Sequence, residues 1–291
     1  MKKSNLFLKL IFILSALLIT MTYCKKDEEE EDTTEQESID ANLVQAVVDE
    51  AVASSLFDDA NDQAEDAHSD EDNTKKSTYS DCIGTTITLE TPDTGYSRRI
   101  TIDFGTSGIY CKGRTRKGKI FVDVSGNFLD SGTVRRVTFE NYIVDGYQIK
   151  GERLVTNQGT DANGYLTYDV SVKGTIIVQS NNDSITWTAN RTRKRVAGGS
   201  TPWYVWDDQY EISGGSSGVT RTGATFTKTI ITPLLIDIAG NSCSDISRTF
   251  VKEGIIDIDV EGNPTVTVDY GTGCDTKVTI TVNEYSIEST L

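Results

Sequence analysis

Apolar and polar residues alternate along most of the chain from about Cys82 to Val282. The cleanest runs are Ile87-Thr88-Leu89, Ile100-Thr101-Ile102-Asp103-Phe104, Ile120-Phe121-Val122-Asp123-Val124 and Val278-Thr279-Ile280-Thr281-Val282. A period of two, rich in Thr, Val, Ile and Tyr, marks strands with one face buried. Further runs lie at 134–144, 147–156, 165–178, 184–192, 203–213, 219–231 and 249–260, separated by turns such as Ser125-Gly126-Asn127 and Glu261-Gly262-Asn263. Eleven to fourteen strands joined by short turns predict antiparallel neighbours, because parallel strands need long crossovers. The expected fold over 80–291 is all-β, a large antiparallel meander folded as a sandwich or open barrel, with two tandem sandwiches as the alternative.

Upstream the period changes. Leu43, Val44, Val47, Val48, Ala51, Val52 and Phe57 recur at spacings of three and four, which predicts a short helix over 38–60 with Ser38 as its cap. It reads either as a body-docking or partner-binding helix or as a transient helix in a stalk. Residues 61–79 are polar, acidic and without period, so they are expected to be disordered. Residues 24–79 as a whole read as an acidic tether. Before them, Lys2, Lys3 and Lys9 precede an uncharged run from Leu10 to Tyr23. A run of that length is too short to span a bilayer and fits a signal peptide over 1–23.

Cys24 follows that run, and Lys25-Lys26-Asp27-Glu28-Glu29-Glu30-Glu31-Asp32 follows Cys24. The arrangement resembles the signal of a bacterial lipoprotein and, with its acidic run, the surface-addressed outer-membrane lipoproteins of the Bacteroidota. Tyr23 and Met21 depart from the residues usual at their positions. The resemblance implies lipidation of Cys24, a membrane attachment through that lipid, and an outer-membrane, cell-surface location. Cysteine parity agrees: with Cys24 lipidated, Cys82, Cys111, Cys243 and Cys274 remain for two bridges. Three pairings are open. Two similar units, Ile100-Thr101-Ile102-Asp103-Phe104-Gly105-Thr106 ahead of Cys111 and Val266-Thr267-Val268-Asp269-Tyr270-Gly271-Thr272 ahead of Cys274, favour Cys82 with Cys111 and Cys243 with Cys274.

Charge is unevenly spread. Residues 27–72 contain 19 Asp and Glu with no Lys or Arg, whereas residues from 73 onward contain 25 acidic and 23 basic residues, a net of −2 within a chain of formal charge −16. A nearly neutral body gives no footprint for nucleic acid, which needs a basic face.

The chemistry-bearing residues are sparse. The single histidine, His68, lies in the acidic segment, which removes Ser-His-Asp and Cys-His catalysis and two-histidine metal sites. No phosphate-binding glycine motif is present, and no cofactor or metal is implied. Paired carboxylates, sufficient for glycoside cleavage, could come from Asp207-Asp208 beside Trp203, Tyr204 and Trp206. That cluster is also the candidate ligand surface, through Trp203, Trp206 and Asp208, although alternation should turn part of it into the core. Asp103 and Asp269 are expected to serve the turns that follow them. The basic runs Arg114-Thr115-Arg116-Lys117 and Arg191-Thr192-Arg193-Lys194-Arg195 are expected to pair with acids, guard edges or touch anionic polysaccharide. Asp183-Ser184-Ile185 resembles a short O-glycan acceptor, and Asp161 with Asn163 only faintly suggests a calcium loop.

The expectation is a non-enzymatic surface lipoprotein whose β domain binds a glycan or protein. The alternatives are a carbohydrate-active enzyme using paired carboxylates and a periplasm-facing structural envelope component.

Overall fold

In a computed structural model the described residues are 40–72, 82–91, 95–201, 207–238, 243, 250–274 and 277–290. The signal peptide over 1–23, Cys24, the acidic run at 27–32, Ser38, Trp203 and Trp206 lie outside them. Among the described residues one helix, α1 (Ala41–Asp72), precedes fourteen strands. These are β1 (Thr86–Glu90), β2 (Arg98–Asp103), β3 (Ile109–Cys111), β4 (Arg114–Val124), β5 (Val134–Val144), β6 (Tyr147–Thr160), β7 (Leu166–Val178), β8 (Ser184–Ala197), β9 (Gln209–Val219), β10 (Thr225–Asp237), β11 (Phe250–Val260), β12 (Val266–Asp269), β13 (Lys277–Val282) and β14 (Tyr285–Thr290).

The strands form one antiparallel sheet in chain order from β1 to β14, with β3 off the path and paired to β4. The meander is unclosed, and β1 and β14 are its two edges. Alternation works as expected. In β8, Ile185, Trp187 and Ala189 are buried while Ser184, Thr186, Thr188 and Asn190 are exposed. In β10, Phe226, Lys228 and Ile230 are buried while Thr225, Thr227 and Thr229 are exposed.

What the buried face covers agrees with the body-docking reading of the helix and departs from the tether reading. The sheet curls around α1, which touches β2, β4, β5, β8, β10 and β11. Leu43, Val47, Val52, Leu56, Phe57, Ala60 and Ala64 belong to the same core as the sheet residues Ile102, Val122, Ile176 and Trp187. The acidic segment is therefore no tether over residues 41–72, and the helix extends twelve residues beyond the expected end at 60, into a stretch expected to be disordered. The reason is packing. A helix with apolar positions on nearly every side is a buried helix, and a sheet that wraps it supplies the stabilisation that an isolated acidic helix lacks. Asp40 caps it, its Oδ1 accepting from Asn42 N at 2.7 Å, the role expected of Ser38.

Phe57 fixes the depth of the helix. Its ring stacks on Trp187 at 5.4 Å between centroids and meets Phe139 edge-on at 5.8 Å. On the sheet, Gly174 makes room for it: a Cβ there would lie 2.1 Å from Phe57 Cζ.

Two disulfides close the ends of the meander, Cys82–Cys111 near the β1 edge and Cys243–Cys274 towards the other. The two similar units behave alike. Gly105 N donates to Asp103 Oδ1 and Gly271 N to Asp269 Oδ1, each at 2.8 Å, so both aspartates serve their turns as the sequence implied.

Candidate functional site

Two surfaces carry chemistry: the interior between α1 and the sheet, and the outer face of the central strands. The interior is ionic. Inward-facing cations of β4, β5, β6, β8 and β10 meet carboxylates on α1. Lys228 Nζ donates to Glu50 Oε1 and Oε2 at 3.0 and 3.1 Å, and Ser216 Oγ donates to the same carboxylate at 2.9 Å. Arg153 donates to Asp58 at 2.8 Å, Arg116 to Asp59 at 2.5 Å and Arg135 to Glu65 at 2.8 Å. Arg193 reaches Glu65 at 3.3 Å, and Arg221, in the β9–β10 turn, holds Asp49 at 2.8 Å. Lys112 pairs with Asp66.

The two basic runs are thereby explained. In each, alternate residues turn inward, Arg114 and Arg116 towards Asp59 and Arg191 and Arg193 towards Asp58 and Glu65. Burial alone would raise the helix carboxyls, but the guanidiniums overcome it. Arg193 and Arg135 hold Glu65 at about 2, and Arg153 and Arg191 hold Asp58 below the usual carboxylate range. Burial among these cations pushes the Lys228 ammonium down. These charged groups are committed to holding the helix, an arrangement in which removing a helix acid leaves a buried cation of the sheet unmatched.

Asp208 is not on an exposed ligand face. It is 1% exposed, and its Oδ2 accepts from Tyr210 Oη at 2.5 Å. Burial raises its carboxyl. Asp207 accepts from Thr201 Oγ1 at 2.6 Å. Arg193 lies 3.7 Å from the Tyr210 ring centroid, joining this cluster to Glu65. The faint calcium loop resolves as a turn: Asp161 Oδ1 accepts from Asn163 N and Tyr165 N, each at 2.9 Å. Among the described residues no group of three or more His, Cys, Asp or Glu is placed to hold a metal.

The outer face carries a groove of about 830 Å³ that crosses β5 to β10 at right angles to the strands. Its construction follows from register. One wall is a cross-strand row, Thr138, Glu152, Lys173, Thr188, Ser217 and Thr227, in which each residue is paired with the next. The other wall is Lys150, Thr175, Thr186, Val219 and Thr225, paired in the same way. Between the walls runs a lane of inward-facing positions, Gly151, Gly174, Trp187, Gly218 and Phe226. Glycine at three of these five lets neighbouring backbones approach: a Cβ on Gly151 would lie 2.1 Å from Lys173 O and one on Gly218 2.0 Å from Thr186 O. The lane leaves a trough floored largely by backbone and walled mainly by hydroxyl-bearing residues, with Glu152, Lys173, Lys150 and Val219 among them. A smaller recess of about 420 Å³ lies among Leu129, Tyr165, Leu166 and Arg195.

No family model, curated protein or solved structure matches the chain. Its functional reading therefore rests on its own residues.

The groove was beyond sequence reasoning because its walls join residues as far apart as Thr138 and Thr227. The exposed threonines of 184–192 and 219–231 were the available signal.

Proposed function

We propose that this chain is a lipid-anchored outer-membrane lipoprotein, displayed at the cell surface, whose helix-filled β domain binds its ligand on the outer face without catalysing a reaction. The observation that carries the binding reading is the groove across β5–β10, an open trough whose walls are mostly exposed hydroxyl-bearing residues. The carboxylates that an enzyme reading would draw on have other work. Asp208 is held by Tyr210, and Glu50, Asp58, Asp59 and Glu65 clamp the helix.

The lipid reading rests on the residues around Cys24 and on cysteine parity, since the other four cysteines are used in two bridges. It has a geometric consequence. With the acidic helix folded into the domain, only the sixteen residues Lys25 to Asp40 separate the anchor from the fold. At ~3.3–3.6 Å per extended residue they reach at most about 58 Å, so the domain sits close above the lipid rather than on a long stalk. Two or three acyl chains make such an anchor stable.

The test is the intact mass of the mature protein, with and without reduction, followed by protease treatment of whole cells. An acylated Cys24, two disulfides and digestion from outside support the proposal. A mature terminus elsewhere with Cys24 unmodified overturns the anchor, and protection from protease on intact cells favours a periplasm-facing component.

A further inference from the structure

The outer groove has a charge as well as a shape. Arg136, Lys150, Lys173 and Glu152 are its charged lining residues, a local balance of +2 on a chain of formal net charge −16. Arg136 donates to Glu152 at 2.8 Å, which leaves the two lysines. Both are exposed. Neither is within ion-pair distance of any carboxylate among the described residues, whereas cations on the inner face are matched by helix acids. Lys150 and Lys173 stand on neighbouring strands in opposite walls, since Lys150 pairs with Thr175 and Lys173 with Glu152.

Apart from Val219, the remainder of the walls is hydroxyl. Thr186, Thr188, Ser217, Thr225 and Thr227 all point outward and are exposed. Thr188 and Ser217 share a hydrogen bond at 3.1 Å across the strands, presenting a joined donor and acceptor pair. Five strand spacings of ~4.8 Å give the groove a length of about 24 Å, enough for several linked sugar units. The only aromatic rings in its lining, Trp187 and Phe226, are 1% and 2% exposed, so the groove offers no stacking platform of the kind single-stranded nucleic acid uses. Two unmatched cations are also fewer than a phosphate backbone requires.

The geometry points to an extended acidic polysaccharide, bearing carboxylate or sulfate groups, lying along this groove with its anions at Lys150 and Lys173 and its hydroxyls against the Thr and Ser walls. This inference rests on the reading of the groove as the binding face, and it adds the chemical class of the ligand.

The experiment measures binding of the purified full-length mature protein to labelled polygalacturonate, dextran sulfate, uncharged dextran and single-stranded DNA, at low and high salt. Polygalacturonate or dextran sulfate should bind, more weakly as salt rises, and dextran should not. The carboxylated and sulfated probes distinguish the two sources of negative charge. Lys150→Ala with Lys173→Ala should weaken binding by about tenfold or more, a loss of ~1.4 kcal/mol, while Lys277→Ala, on β13, should leave it unchanged. Thr188→Trp, which fills the trough from an exposed position, should abolish binding, and Ser217→Trp serves if that variant fails to fold. Dextran bound as well as the charged polymers, blocked by Thr188→Trp but indifferent to the lysines, would overturn the acidic class while keeping the groove. Binding of a charged polymer that neither tryptophan disturbs would overturn the groove itself. Preference for DNA, or no binding to any probe, would overturn the inference.

Discussion

Lys228 on β10 grips both carboxylate oxygens of Glu50 on the helix, 178 positions earlier in the chain, at 3.0 and 3.1 Å. The two residues are 8% and 2% exposed. Such a pair is costly to bury and costlier to break, because the survivor is left charged in a low-dielectric site. Glu50→Gln is expected to destabilise the domain by about 3–5 kcal/mol, read by denaturant unfolding. Replacing both, Glu50→Leu with Lys228→Met, should recover only part of this. Ser216 and Arg191 also face Glu50 and would lose their acceptor.

Gly174 and Phe57 form a close apolar contact between sheet and helix. Gly174→Ala should destabilise the domain, because its new methyl would occupy the space of the Phe57 ring tip. Phe57→Ala should cost ~3–5 kcal/mol through the cavity it leaves against Trp187 and Phe139. Phe57→Leu in the Gly174→Ala background should be less destabilised than additivity requires, a coupling that a double-mutant cycle detects.

Acid should loosen the helix. The Glu65 carboxyl lies at about 2 in the folded protein against an ordinary 4.5, and Asp58 is also depressed. A depressed carboxyl contributes stability that is complete above its unfolded value and is lost as pH falls through the folded one. Unfolding free energy should therefore decline between about pH 4.5 and pH 2, and Glu65→Gln should flatten that decline while lowering stability at neutral pH.

The strands, the turn roles of Asp103 and Asp269 and the pairing of Cys82 with Cys111 and of Cys243 with Cys274 were legible in the sequence. Each is a local pattern or a repeat of one. The helix was visible as a period of three and four and docking on the body was one of its readings, but its place as the core inside the curled sheet was not legible. Nothing in Asp58 or Glu65 says that Arg153 and Arg135 will lie opposite, since those partners sit 95 and 70 positions away. Acidic residues on a helix read as solvated until a strand brings a cation to them. Asp208 misled for the opposite reason: Tyr210, two residues on, accounts for it, yet alternation shows only that they share a face.

The disulfides bracket loops of 29 and 31 residues. Replacing Cys82 and Cys111 by serine should cost about 3.5 kcal/mol on the chain-entropy account, read as a lower midpoint in denaturant. The same change at Cys243 and Cys274 should cost a similar amount.

Hydrogen exchange along α1 in the intact native protein tests the helix-as-core account most directly. Amides buried inside a domain exchange only through its large-scale opening, whereas those of a helix in a stalk exchange through local fraying. Amides from Val47 to Ala64 should be protected as strongly as those of β7 and β8, and should lose protection together with them as denaturant is added. Fast exchange over 47–64 while β7 and β8 stay protected would return the acidic segment to a tether and contradict the account.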